Sequence, residues 1–222
     1  MKKIKRLASR IQRKFESIYF SAVWVLIIVP ILSLAFILVA DESPLYTSIS
    51  RIGWVHNHRL FMLLWSITVL APMVSLTSKV VSQSPLTEGR KRALYAVAVC
   101  NILVSFVAGV LVPAKSGAGE VSFFGVVHDL LTSVGWLSFG VVLTVFALSL
   151  FRFDRLEATV ATSFMAFIWI TGIFFIFYVV DESSYCGASA VTQVYIINML
   201  DLFLLTVDLY QTAKISDPSS LS

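Results

Sequence analysis

Uncharged apolar runs alternate with short charged clusters along this chain, and the runs share one length. Residues 21–40, 60–78, 93–112, 130–151 and 158–180 contain no Asp, Glu, Lys or Arg. A sixth run, 188–213, is interrupted only by Asp201 and Asp208. Each comes close to the roughly 20 residues that carry a helix across a bilayer. None shows the in–out alternation of a membrane strand, so helices and not a barrel are expected. The pattern predicts an all-α, polytopic transmembrane bundle of about six helices, the fourth beginning as early as Phe123. Pro30 and Pro72 fall inside the first and second runs, where each removes a backbone donor and predicts a kink.

The segments around this core are short. Residues 1–17 form a basic juxtamembrane segment with Ile4, Leu7, Ile11 and Phe15 at helical spacing, as in a helix lying on the inner membrane surface. Residues 18–213 form the transmembrane domain, and the Ser-rich 214–222 is expected to be a disordered tail. The first run is read as a retained helix, because it is longer than a signal-peptide core and Leu38 stands where a signal peptidase needs a small residue.

Composition sharpens this picture. Hydrophobic residues make up 58% and charged residues 14% of the 222, against about 25% charged in soluble domains. The net charge of +4 does not point to nucleic acid, because most of the basic residues flank apolar runs. They also set an orientation. The N-terminal tail (seven), the 79–92 loop (four), Arg152 with Arg155 (two) and Lys214 (one) place 14 Lys and Arg on one side, and Arg51, Arg59 and Lys115 place three on the other. By the positive-inside rule both termini are expected in the cytoplasm, with the loops 41–59, 113–122 and 181–187 facing outward across the cell membrane. No nucleotide-binding or zinc-protease motif is present. Cys100 lies in a run and Cys186 in a loop, depths that argue against a disulfide.

Polar residues inside the runs are the candidates for chemistry. Asp201 and Asp208 are seven residues apart and share a helix face with Asn198. A carboxylate at mid-membrane costs about 2.5–3.5 kcal/mol on insertion scales, so Asp201 is expected to face the bundle interior with a partner. Asn101, at similar depth, is the expected partner. Such a face suits a proton or cation relay or a polar binding site, and equally a structural clamp between helices. His128 and Asp129 open the fourth span. They suit an acid–base pair or a metal ligand at a cavity mouth, or a helix end satisfied by a loop carbonyl. His56 and His58 complete the three histidines, all on the outer side, so a shared zinc site is one reading and an interfacial Trp-His-Arg belt the other. Asp41-Glu42 and Asp181-Glu182 follow two outward-ending spans and offer calcium ligands if those ends adjoin, or else two solvated helix termini. Trp65, Trp136 and Trp169 are read as lipid contact and packing.

Two segments carry a family resemblance. Ser48-Ile49-Ser50-Arg51-Ile52-Gly53 precedes an aromatic-rich span, and Gly109-Val110-Leu111-Val112-Pro113 leads through a Gly-containing loop to Phe124-Gly125-Val126-Val127-His128. The chain resembles the prokaryotic six-helix membrane family catalogued as "domain of unknown function 998", which closes its third helix with a Gly-x-Phe-Pro-like segment and opens its fourth with His. It is similar, more broadly, to the Frag/DRAM/Sfk-like six-helix group. Val112 departs from the Phe of that segment. The resemblance implies the topology and a role for Pro113 and His128, but no reaction. A more distant likeness, to membrane amidases of the ceramidase type, lacks their His-rich closing helix.

Three functions follow as expectations. The first is binding of a lipid, small molecule or partner in an outward-facing bundle cavity. The second is proton- or cation-coupled transport through Asp201. The third is metal-assisted lipid hydrolysis by His128 and Asp129, with zinc or calcium as the metal.

Overall fold

The computed structural model describes residues 19–39, 48–54, 57–113, 123–178 and 189–216. In chain order the helices are α1 (Tyr19–Leu38), α2 (Ile49–Trp54), α3 (Arg59–Gln83), α4 (Glu88–Leu111), α5 (Phe123–Ser149), α6 (Arg155–Tyr178) and α7 (Ala190–Ser216). No strand occurs among the described residues. All except α2 are long and apolar enough to cross a membrane. The 24 residues of α4 reach about 36 Å at 1.5 Å per residue, against about 30 Å of hydrocarbon. The architecture fits a multi-pass integral membrane protein.

Five of the six spans form a ring. α3 packs on α4, α4 on α5, α5 on α6 and α6 on α7, and α7 closes the ring against α3. α1 lies outside it, against α3 and α7. Gln83 meets Asp208 and Thr212 near the C-terminal ends of α3 and α7, so those two helices run parallel. α7 is the most buried of the six spans.

Local chemistry explains the helix ends and irregularities. Asp154 caps α6, its Oδ1 accepting the N–H groups of Leu156 (2.9 Å) and Glu157 (3.1 Å). In α1 a π-helical stretch, Trp24–Ile28, ends two residues before Pro30 and contains Leu26, the residue four before it. The wider turn accommodates a ring that clashes with the carbonyl four residues back in a regular α-helix. Pro72 sits inside α3 and leaves the Thr68 carbonyl without its helical N–H. The Trp24 indole N–H of α1 donates to that carbonyl at 2.8 Å. The second proline thus creates the acceptor by which α1 is held.

α4 and α5 pack through small residues. Ser105 Oγ donates to the Asn101 carbonyl (3.0 Å) on its own helix and reaches the Thr132 carbonyl of α5 (3.5 Å). Gly135 of α5 lies directly on this spot: a Cβ there would overlap Ser105 Oγ and stand 2.9 Å from the Asn101 carbonyl oxygen. Small residues at a crossing are what allow helix backbones in lipid to approach closely.

The outcome differs from the sequence expectations in several places. The 41–59 loop contains α2, a short helix whose start is capped by Ser48: its hydroxyl accepts the Arg51 N–H at 3.2 Å. Ile49 and Ile52 are the buried face of that helix. α7 continues to Ser216, past the Lys214 at which a disordered tail was expected. The basic segment 1–17, the acidic pairs Asp41-Glu42 and Asp181-Glu182, His56 and Cys186 lie outside the described residues.

Candidate functional site: a cavity inside the ring

The five-helix ring encloses a cavity of about 520 Å³. Its character changes along the bundle axis. At the α2 end it is bordered by Ser48, Ser66, Asp129, Ser133 and Gln193, contributed by α2 and the early turns of α3, α5 and α7. Toward mid-bundle the walls are Val69, Ile102, Gly140, Met165, Ile168, Ile197 and Leu200. Gln193 also fastens the rim, its Oε1 accepting the Ile49 N–H of α2 at 3.1 Å.

Trp65, Trp136 and Trp169 all border this cavity. Their expected packing role holds, since Trp65 belongs to the buried core and Trp136 and Trp169 pack against it; the cavity beside them was not anticipated. Trp65 is held by a hydrogen bond from Nε1 to Ser33 Oγ (2.8 Å) and by stacking on Phe36 at 5.7 Å between centroids. Trp169 donates to Thr144 Oγ1 at 3.0 Å and lies across Gly140, whose missing side chain makes room for the ring. These bonds hold the Trp65 and Trp169 rings in place and satisfy their N–H groups in an apolar interior.

Asp201 is completely buried, as the cost of a lipid-facing carboxylate requires. The expected bond to Asn101 is not formed: both carboxylate oxygens of Asp201 lack a hydrogen-bond partner among the described residues. The physical reason is the ring itself. Asn101 is on α4 and Asp201 on α7, helices that are not ring neighbours, and Asp201 shares the face of Asp208, which is turned to α3. Asn198 Oδ1 is likewise buried and unbonded.

Asp208 belongs to a polar cluster at the opposite end, which we call the Lys79 end. Gln83 Nε2 donates to its Oδ1 at 3.2 Å, and Lys79 Nζ stands 4.0 Å from Oδ2 while donating to Ser21 Oγ at 3.1 Å. A second polar cluster joins α6 to α7. Gln211 Nε2 donates to Glu157 Oε1 at 2.7 Å, and Lys214 Nζ donates to Asp154 Oδ2 at 2.7 Å. The Lys214 ammonium holds the Asp154 carboxyl below the usual carboxylate range, helped by the two helix N–H groups. Gln83, Glu157 and Gln211 escaped the sequence reading. Gln83 and Glu157 flank uncharged runs, where polar residues are ordinary, and Gln211 is uncharged; the available signal was the three-residue spacing of Gln211 from Asp208 and of Glu157 from Asp154, and Gln83 carried none.

His128 is buried and its Nδ1 lies 2.7 Å from the Val112 carbonyl at the end of α4. This is the helix-end arrangement, a ring nitrogen satisfied by a neighbouring carbonyl. Nε2 is buried and unbonded among the described residues. Asp129 lines the cavity rim. Among the described residues no group of three or more His, Cys, Asp or Glu side chains gathers to hold a metal ion, so His58 and His128 do not form such a cluster. The zinc reading that includes His56, and the calcium reading, fall on residues outside the description.

No family model, no curated protein and no solved structure matches the chain.

Proposed function

We propose that this protein is a multi-pass protein of the cell membrane that binds a lipid or other amphipathic small molecule inside its helix ring, with both termini cytoplasmic. The observation that carries the binding reading is the graded cavity. About 520 Å³ lies within the 300–1,000 Å³ typical of ligand pockets. Its polar groups gather at the α2 end, beside Ile49, Met62 and Ile196, and its walls are otherwise mainly apolar, which suits a molecule with a polar head and a hydrocarbon body. Burying such a body contributes about 25 cal/mol for each Å² removed from water.

Filling the cavity tests this. A Cβ on Gly172 meets only Ile196 carbons, at 3.6 Å, with no backbone atom among its near neighbours, so Gly172→Leu puts side-chain bulk into the cavity and reduces its volume. Native mass spectrometry of protein taken from bicelles of one defined phospholipid should show a lipid adduct on the wild type. The adduct should fall about tenfold in the variant, equivalent to 1.4 kcal/mol. Equal adducts on both proteins would remove the reading.

The orientation rests on the 14-to-3 distribution of Lys and Arg. Labelling of a cysteine at position 90 by an impermeant reagent from outside the cell would reverse it. With that orientation the polar end of the cavity faces outward. A second reading, proton or cation transfer through Asp201, is supported by the two buried and unbonded carboxylate oxygens.

A further inference from the structure

The cavity wall has a weak place. Among its lining residues, Leu137 of α5 and Ile173 of α6 are also 54% and 51% exposed, comparable with side chains on the outer faces of these helices such as Val141 and Ile170. A side chain that borders an interior space and the outer surface together marks an opening between them. The two residues are level with each other. α5 and α6 run antiparallel, and their crossing is fixed where Trp169 lies on Gly140 and donates to Thr144. Leu137 is one turn from Gly140 toward the α2 end, and Ile173 is one turn from Trp169 in the same direction. Ser133, a further turn along α5, is again both exposed and on the cavity. The other flank of α6 is tied to α7, where Tyr195 donates to Thr171 Oγ1 at 2.7 Å. The opening therefore lies between α5 and α6, above the Trp169–Thr144 bond, and it faces the surrounding lipid.

We propose that this opening is a lateral portal and that the occupant of the cavity is a bilayer lipid, admitted sideways with its chain passing between Leu137 and Ile173. The proposal rests on the binding reading given above and deepens it by naming the source of the ligand. A water-soluble ligand has no use for a gap at mid-bundle lined by Leu and Ile. A lipid already dissolved in the membrane reaches that gap with its hydrocarbon chain, and its head group then meets the Ser48, Asp129 and Gln193 rim. The Trp169–Thr144 bond sets the lower edge of the portal.

Closing the portal tests it. In a chain carrying Cys100→Ser and Cys186→Ser, Leu137→Cys and Ile173→Cys are joined in the bilayer by a short bifunctional thiol reagent that dithiothreitol cleaves. The protein is then moved into detergent and the adduct of one defined phospholipid is followed by native mass spectrometry. The expected result is that the cross-linked protein keeps its lipid at least about tenfold longer than the same protein after cleavage. Equal loss before and after cleavage, from proteins that both begin with an adduct, overturns the portal and leaves cavity binding standing, with access through the α2 end instead. Failure of the two cysteines to join shows that they do not face each other and also overturns the portal. Absence of any adduct at the start, in cross-linked and cleaved protein alike, is the failure of the binding reading itself.

Discussion

Gly135→Ala is the smallest change that should separate two helices of this bundle. The added methyl carbon would overlap Ser105 Oγ and lie 2.9 Å from the Asn101 carbonyl oxygen. The hydroxyl can rotate away, at the cost of its bonds to the Asn101 and Thr132 carbonyls. The backbone oxygen moves only if α4 moves. Overpacking of this kind costs about 1–3 kcal/mol, and each interhelical hydrogen bond in a membrane contributes about 0.6 kcal/mol. Against this, Ala gains about 0.5–1 kcal/mol over Gly in a helix interior. The net expectation is a loss of about 1–2 kcal/mol, read as a shifted midpoint in reversible unfolding in mixed detergent micelles. Two controls bracket it. Gly89→Ala, where nothing stands within 4 Å of the new carbon, should be neutral or slightly stabilising. Ser105→Ala in the Gly135→Ala background should recover part of the loss, because the overlapping oxygen is gone. If Gly135→Ala proves as stable as the wild type, helix propensity outweighs the contact and the close α4–α5 seam is not what holds these helices together.

Three further outcomes follow from the same geometry. Trp24→Phe leaves the Thr68 carbonyl without its donor and should cost about 1 kcal/mol; in a Pro72→Ala background, where a helical N–H is restored to that carbonyl, the same change should be nearly neutral, and a full-sized effect there would refute the link between proline and indole. Asp154 has its carboxyl pKa lowered by Lys214, so its contribution is complete above the ordinary carboxylate value of about 3.9 and is lost as the pH falls through the lower folded-state value. Asp154→Asn should therefore flatten the stability profile below about pH 4 while keeping the helix cap, whereas Asp154→Ala should lose about 1 kcal/mol near neutrality as well. Asp201→Leu replaces an unbonded buried carboxyl with hydrocarbon and should raise stability by about 1–3 kcal/mol, while Asp201→Asn should leave folding intact; a destabilised Leu variant would mean that the carboxyl has a partner after all.

The six spans were legible because charge is excluded from hydrocarbon so strongly that its absence over about 20 residues marks a crossing. Their rotations were not legible. A membrane helix is apolar toward lipid and apolar toward its neighbours, so no polar stripe records which face is inside. Trp65, Trp136 and Trp169 illustrate this: their packing was legible, but an indole looks the same in sequence whether it packs beside lipid or beside a cavity. Asp201 was placed inside correctly because a carboxylate is the one group whose cost identifies its side. Its partner was misjudged because depth along the axis is readable from sequence and angular position around the ring is not. The Gly135–Ser105 seam was hidden for a related reason: a lone Gly and a lone Ser acquire meaning only when the two helices are in register. α2 carried a real signal, Ser48 as a cap followed by Ile49 and Ile52, which was overshadowed by the charged residues around it.

The closure of the ring by α7 has a consequence for biogenesis. Synthesis delivers the spans in order, so α3, α4, α5 and α6 enter the membrane as an open arc before α7 arrives. During that interval the ring is open, and Gln83 lacks the Asp208 and Thr212 side chains that it meets later, whereas Trp65 and Lys79 already have partners on α1. Insertion of α7 brings Asp208 to Lys79 and Gln83, Gln211 to Glu157 and Lys214 to Asp154 in one event. The last helix thus completes the polar pairing at the Lys79 end: a chain that lacks it leaves Gln83, Asp154 and Glu157 without these α7 partners.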